Sequence, residues 1–169
     1  MPTELSKPGL EAWKGLLLAH ATLVEQIDRE MALANLLPLD WYDALLALED
    51  APNRRLKMSD LADQVLLSKS GLTRLVDRLE AKGYIKREAC RADRRVAYAV
   101  LTAEGLKARE ASWPTYRAAL QQHFASQMTE EEARVIGTVL QRFIGRFRQR
   151  VCSAAHAATQ TAAKLSSDC

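Results

Sequence analysis

The stretch that decides the fold is Ser68–Thr102, SKSGLTRLVDRLEAKGYIKREACRADRRVAYAVLT. Leu72, Leu75, Val76 and Leu79 recur at three- and four-residue steps, which predicts a helix from Ser68 to about Lys82 with one apolar face. Ser68 suits its N-cap, and Gly83 stands where a helix end favours a left-handed residue. After it, Tyr84–Arg87 and Val96–Val100 read as two short strands joined by a polar, turn-like link, Cys90–Arg95. Immediately before it, Ser59–Val65 reads as a brief helix with Leu61, Ala62 and Val65 facing inward. Two short helices followed by a hairpin describe a helix-turn-helix with a wing.

Working outward, Leu10–Ala34 carries Leu10, Trp13, Leu17, Val24, Ile27 and Met31 at helical spacing. Pro38 interrupts, Asp40 is the expected cap of a helix over Trp41–Glu49, and Ala51-Pro52-Asn53 makes a turn. On the other side, Thr102-Ala103-Glu104-Gly105 opens a helix that passes Arg109, with Pro114 expected to kink or break it. A last helix follows Thr129: Glu130, Glu131 and Glu132 suit its positive end, and Ala133, Ile136, Leu140, Phe143, Phe147 and Val151 form its seam. The expected architecture is mainly α with a small β-hairpin wing. Residues 1–37 form an N-terminal dimerisation helix, 38–101 the winged helix-turn-helix, 102–152 C-terminal dimerisation helices, and 153–169 a flexible tail rich in Ala, Ser and Thr. Amphipathic helices at both ends point to pairing between subunits; the alternative is that each packs only on its own domain.

The charge is uneven. Asn53–Arg95 holds twelve Lys/Arg against six Asp/Glu, a local charge of +6, which leaves −3 on the rest of a chain whose net charge is +3. A basic centre between acidic flanks is the footprint of a polyanion-binding module, unless it is only a solvated face. With 169 residues the chain buries a core without metal or disulfides, and its three cysteines (Cys90, Cys152, Cys169) show no metal-ligand spacing. They read as reduced thiols in a cytoplasmic protein, and the short run Leu16-Leu17-Leu18-Ala19 serves neither as a secretory core nor as a membrane span. Catalysis finds little support: His20, His123 and His156 are far apart, no HxxxH or CxxC occurs, and no Gly-rich phosphate loop follows a strand. No cofactor or metal is implied.

With Leu72, Leu75, Val76 and Leu79 buried, the opposite face presents Ser70, Thr73, Arg74, Asp77 and Arg78. Lys69, Ser70, Thr73 and Arg74 occupy the first turns, where a recognition helix meets base edges of double-stranded DNA in the major groove. Arg74 suits a bidentate contact to guanine, while Ser70 and Thr73 suit bases or phosphate. Ser68 and Lys69 form a phosphate site at the helix N-terminus, and Arg78 is placed for phosphate or for an acidic partner. At the wing tip an arginine reaches for the minor groove, and Asp93 braces it.

Leu61–Gly105 resembles the MarR family of winged-helix transcriptional regulators, through LSxSGLTRLVDRLEAxG, the DRR of the wing and the LTxxG that enters the next helix. The resemblance implies a homodimer on a near-palindromic operator, most often as a repressor. It implies Arg95 in the minor groove and Arg94 on phosphate, with no enzymatic activity. Many relatives cap the first helix of the motif with Thr or Ser, where this chain has Lys57; Ser59 is expected to start that helix later or leave its first turn loose. The family also implies a small aromatic or phenolic effector in a crevice beside the dimerisation helices, with Trp13, His20, Trp41 and Tyr42 as candidate lining residues. Their alternative role is in the core. Two alternatives stay open for the whole protein. One is a cysteine-based redox response through Cys90, which lies among Lys86, Arg87 and Arg91. The other is a winged-helix protein-interaction module, which would have no reason to keep Arg74 and Arg95 together.

Overall fold

In the computed structural model, which describes residues 4–65, 67–89 and 96–145, the helix read first from the sequence is α4, Lys69–Ala81. Ser68 caps it, its Oγ accepting the Gly71 N–H at 3.1 Å. Gly83 closes it at φ +74°, and the Gly83 and Tyr84 N–H groups return to Glu80 O and Leu79 O. Leu72, Leu75, Val76 and Leu79 are all buried, each contributing about 1.5–3 kcal/mol by leaving water. They meet Tyr42, Leu45 and Leu48 of α2 (Leu39–Glu49) and Leu61 of α3 (Met58–Gln64) in one core.

Helix α3 begins one residue earlier than its serine suggests. Lys57 stands at its cap with no side-chain bond, and Ser59 instead donates to Asp60 at 3.0 Å. The start of α2 is also capped differently from expectation. Pro38 occupies the N-cap position, and Asp28 of α1 (Lys7–Leu33) accepts the Leu39 N–H at 2.8 Å. Asp40 therefore sits inside the first turn, with its carboxylate released from capping.

The wing is the larger part of a three-stranded antiparallel sheet in the order β1-β3-β2. Strand β2 (Ile85–Ala89) pairs with β3 (Ala97–Leu101) from Ile85↔Leu101 to Ala89↔Ala97. The edge strand β1 (Arg55–Lys57), absent from the sequence reading, pairs Arg55↔Val100 through Lys57↔Tyr98.

Helix α5 runs unbroken from Ala103 to His123, so Pro114 does not break it. Proline removes one backbone donor, and the buried Ser112 and Ala119 on either side hold the helix against its neighbours. The seam expected along α1 divides in two. Ile27 and Met31 are buried, whereas Leu10, Trp13, Leu17 and Val24 remain exposed.

The described chain falls into two compact units that meet after Phe124. The second holds the short 3-10 turn Ala125–Gln127 and helix α6, residues 130–145. Thr129 and Glu132 close its start as a capping box: Glu132 N–H donates to Thr129 Oγ1 at 3.3 Å, and Thr129 N–H to Glu132 Oε2 at 2.8 Å. Ile136 and Phe143 of the expected α6 seam are exposed and Leu140 is half-buried; Phe147, Val151 and the tail lie outside the described residues.

Candidate nucleic-acid interface

The buried row of α4 forces its other side outward, and Ser70, Thr73, Arg74, Asp77 and Arg78 are all exposed on it. Ser68 and Ser70 place their hydroxyls 3.2 Å apart at the helix start. Lys69 is the first residue of the helix; its side chain, like Cys90 and the wing-tip residues Asp93, Arg94 and Arg95, lies outside the described residues.

The arginines around this face differ sharply in their commitments. Among the described residues Arg74 has neither an ion-pair nor a hydrogen-bond partner. Arg78 lies 3.4 Å from Asp40 and has its guanidinium 5.8 Å from the centre of the Trp41 ring. Arg87, on β2, is clamped between two carboxylates of α4, at 2.5 Å from Asp77 and 2.5 Å from Glu80, while its backbone N–H donates to Glu80 at 3.0 Å. Partial burial opposes its charge, but the hydrogen bonds and charges of Asp77 and Glu80 outweigh that and raise its pKa.

Two further cations of the basic segment are spent internally. Lys86 pairs with Glu88 at 2.8 Å, a hydrogen bond that lowers the Glu88 pKa, and Arg55 stacks on Tyr98 with its guanidinium 4.0 Å from the ring centre. The sequence charge thus overstates the charge on offer. Arg74 is fully presented, Arg78 is lightly held, and Arg87 serves to brace the wing against the helix. Sequence spacing gave no sign of these partners, since Asp40 and Arg78 are far apart in the chain.

Beside the C-terminal end of α4 lies an open cavity of about 390 Å³. Asn35, Leu36, Leu37, Pro38, Trp41, Lys82, Tyr84, Ala108, Ala111 and Ser112 line it. Trp41 and Tyr84 meet edge to face, with centroids 6.1 Å apart, and the buried Trp41 Nε1 has no acceptor among the described residues. Of the four side chains read from sequence as a ligand site, Trp41 lines this cavity and the other three do not. Trp13 and His20 lie on the exposed part of α1. Tyr42, one residue after Trp41, points into the core against Tyr116 at a centroid distance of 4.5 Å. Burial raises its pKa, against the pull of Arg109, whose guanidinium is itself 2.5 Å from Glu49. Lys82, Tyr84 and Ser112 went unnoticed in the sequence because the turn after α4 and the distant helix α5 are brought to the cavity only by the fold.

Among the described residues no group of three or more His, Cys, Asp or Glu is placed to hold a metal, and no helix is long and apolar enough to cross a membrane.

A two-helix reader backed by an antiparallel hairpin is a winged helix-turn-helix. The model of the MarR family matches residues 35–96, which take in α2 through β2 and end just before β3. The chain is similar to Sco3205, a MarR family transcriptional regulator from Streptomyces coelicolor solved in complex with DNA. The two are 29% identical, the alignment covering 85% of this chain and 89% of that one, with a TM-score of 0.76. It is similar also to AbsC, a MarR family transcriptional regulator from the same organism, at 28% identity, 86% and 97% coverage and a TM-score of 0.75. In sequence it is 31% identical over 85 residues to the HTH-type transcriptional regulator MhqR of Bacillus subtilis, a match spanning 50% of this chain and 58% of that protein. Residues 35–96 thus match the MarR family, and the chain has the fold of MarR family transcriptional regulators.

Proposed function

We propose that the protein is a homodimeric, sequence-specific DNA-binding regulator that represses by occupying a near-palindromic operator in the cytoplasm. The observation that carries this reading is the exposed row of Ser70, Thr73 and Arg74 on a helix whose opposite face is fully buried. An arginine without a partner among the described residues, on the second turn of such a helix, is the side chain that forks onto a guanine edge. The Ser68 cap leaves the helix N-terminus facing the phosphates, with Arg78 further along the groove. Arg95 in the minor groove, Arg94 on phosphate and Asp93 as brace complete the proposed contact set. The complex of Sco3205 with DNA supports the same mode of use for this fold.

The homodimer is supported by apolar side chains left exposed on α1 and, separately, on α6. The cavity beside Trp41 has the size and lining for a small aromatic or phenolic effector, with aromatic and aliphatic walls and the Lys82 ammonium for an acidic group. Binding there in the form that does not fit DNA would release the operator. Cys90 as a redox trigger rests on its neighbours in sequence alone.

Selection from random duplex DNA tests the reading. A palindrome with half-sites about 10 bp apart, bound with a steep salt dependence, is the expected result. Arg74→Ala should relax base choice at one or two positions per half-site, at about 1–3 kcal/mol for each lost bidentate contact. Salt-sensitive binding indifferent to sequence would instead favour the protein-interaction module, and an unchanged consensus for Arg74→Ala would remove Arg74 as the reader.

A further inference from the structure

Three arginines near the DNA-facing surface show three degrees of commitment, and the middle one has the properties of a switchable contact. Arg87 is held by two carboxylates at 2.5 Å and by its own backbone N–H, and Arg74 is held by nothing described. Among the described residues Arg78 has a single carboxylate partner, Asp40, at 3.4 Å, and a loose contact with the Trp41 ring at 5.8 Å. Both members of the pair are about half exposed, with side-chain accessibilities of 58% and 48%. A water-exposed ion pair of this kind is easily exchanged for a stronger anion, and a DNA phosphate is such an anion.

Asp40 is not the cap of its own helix. The N-terminus of α2 is capped from outside by Asp28, which accepts the Leu39 N–H. Asp40 lies in the first turn of α2, exposed and within reach of the Arg78 guanidinium.

We propose that Asp40 is a latch on the recognition helix: in the free protein it holds Arg78 away from DNA phosphate, and operator binding must break that pair. Asp40 is then a positioning residue that lowers operator affinity, acting through Arg78 from a neighbouring helix. The inference rests on the DNA-binding reading of α4. It goes beyond that reading, because a recognition surface alone has no use for a competing carboxylate.

The test is a double-mutant cycle by fluorescence anisotropy on the selected operator and on an unrelated duplex, over a series of salt concentrations. Asp40→Asn keeps the shape of the side chain and removes its charge. It is expected to tighten binding to both duplexes by roughly two- to fivefold per protomer. It is also expected to steepen the salt dependence, by up to about 0.9 in slope per protomer as Arg78 takes a phosphate. In an Arg78→Ala background the same substitution should leave affinity and slope unchanged. Thermal melting of each variant shows that it is folded, and Asp40→Ser serves as a second uncharged variant should Asn perturb α2. Unchanged affinity and slope in folded Asp40→Asn and Asp40→Ser would overturn the latch while leaving DNA binding intact. Equal tightening with and without Arg78 would overturn it too, because the gain would then be one of general charge. A wild-type protein that binds no duplex overturns the DNA reading and the latch with it.

Discussion

Gly105 has no room for a methyl group. A Cβ built there falls 2.1 Å from the Tyr84 carbonyl oxygen and 2.9 Å from a methyl carbon of Leu101. The close approach follows from Thr102, whose hydroxyl accepts the Gly105 N–H at 3.0 Å and lies 2.7 Å from Gly83 O and 2.9 Å from Tyr84 O. The Thr102 N–H also donates to Tyr84 O at 3.0 Å. The LTxxG run thus pins the start of α5 onto the turn that leaves the recognition helix. Gly105→Ala should destabilise the protein by about 2–3 kcal/mol, since the neighbour is backbone and cannot rotate away. Thermal unfolding checks this, with a drop in Tm of about 5–10 °C expected. An unchanged Tm would mean that α5 shifts from the turn at little cost. Arg74 belongs to this scale as well: its exposure was legible from the spacing of four leucine and valine positions. The pairing of Arg78 with Asp40 was not.

At the scale of elements, caps and clamps set where each helix begins and how it is aimed. Arg87 joins β2 to two successive turns of α4, so the wing leaves the recognition helix at a defined angle. Helix α6 begins at the Thr129–Glu132 box, where hydrogen bonds from the Thr129 N–H and hydroxyl hold the Glu132 carboxyl below its usual pKa. A depressed carboxylate contributes its stabilisation above its unfolded pKa and loses it as pH falls through the folded one. The cap of α6 should therefore hold at neutral pH and loosen below about pH 4. NMR titration is expected to show the Thr129 and Glu132 amides moving together in that range, and to show no such step in Glu132→Gln. Titration of Glu132 at the ordinary value would dismiss the box as a source of helix stability. The sequence shows the three glutamates in the first turn, yet only geometry shows which of them closes the box.

For the molecule as a whole, the telling feature is apolar surface without cover. Ile27 and Met31 complete the core, while Trp13, Leu17 and Leu18 of the same helix are more than half exposed. In α6, Val135 and Phe143 are likewise more than half exposed. If a second copy covers the α1 face, Leu17→Glu should halve the mass seen by light scattering and weaken operator binding, leaving the winged helix folded. A variant that keeps the wild-type mass would argue that α1 contributes little to association.

What the sequence by itself determined was local: the apolar row of α4, its Ser68 cap, its Gly83 exit, the hairpin and the Thr102 start of α5. Each follows from spacing or from the backbone preference of one residue, and neither depends on distant chain. Tertiary structure decided the rest. Strand β1 is three residues long and exists because β3 offers it a ladder. Helix α5 continues through Pro114 because burial on both sides compensates one missing donor. Asp28, not Asp40, caps α2, which frees Asp40 for Arg78. Trp41 faces a cavity while Tyr42 fills the core, because successive residues of a helix project about 100° apart and only packing decides which face is covered. Ion pairs and cavities join residues distant in the chain, so their partners are chosen by the fold.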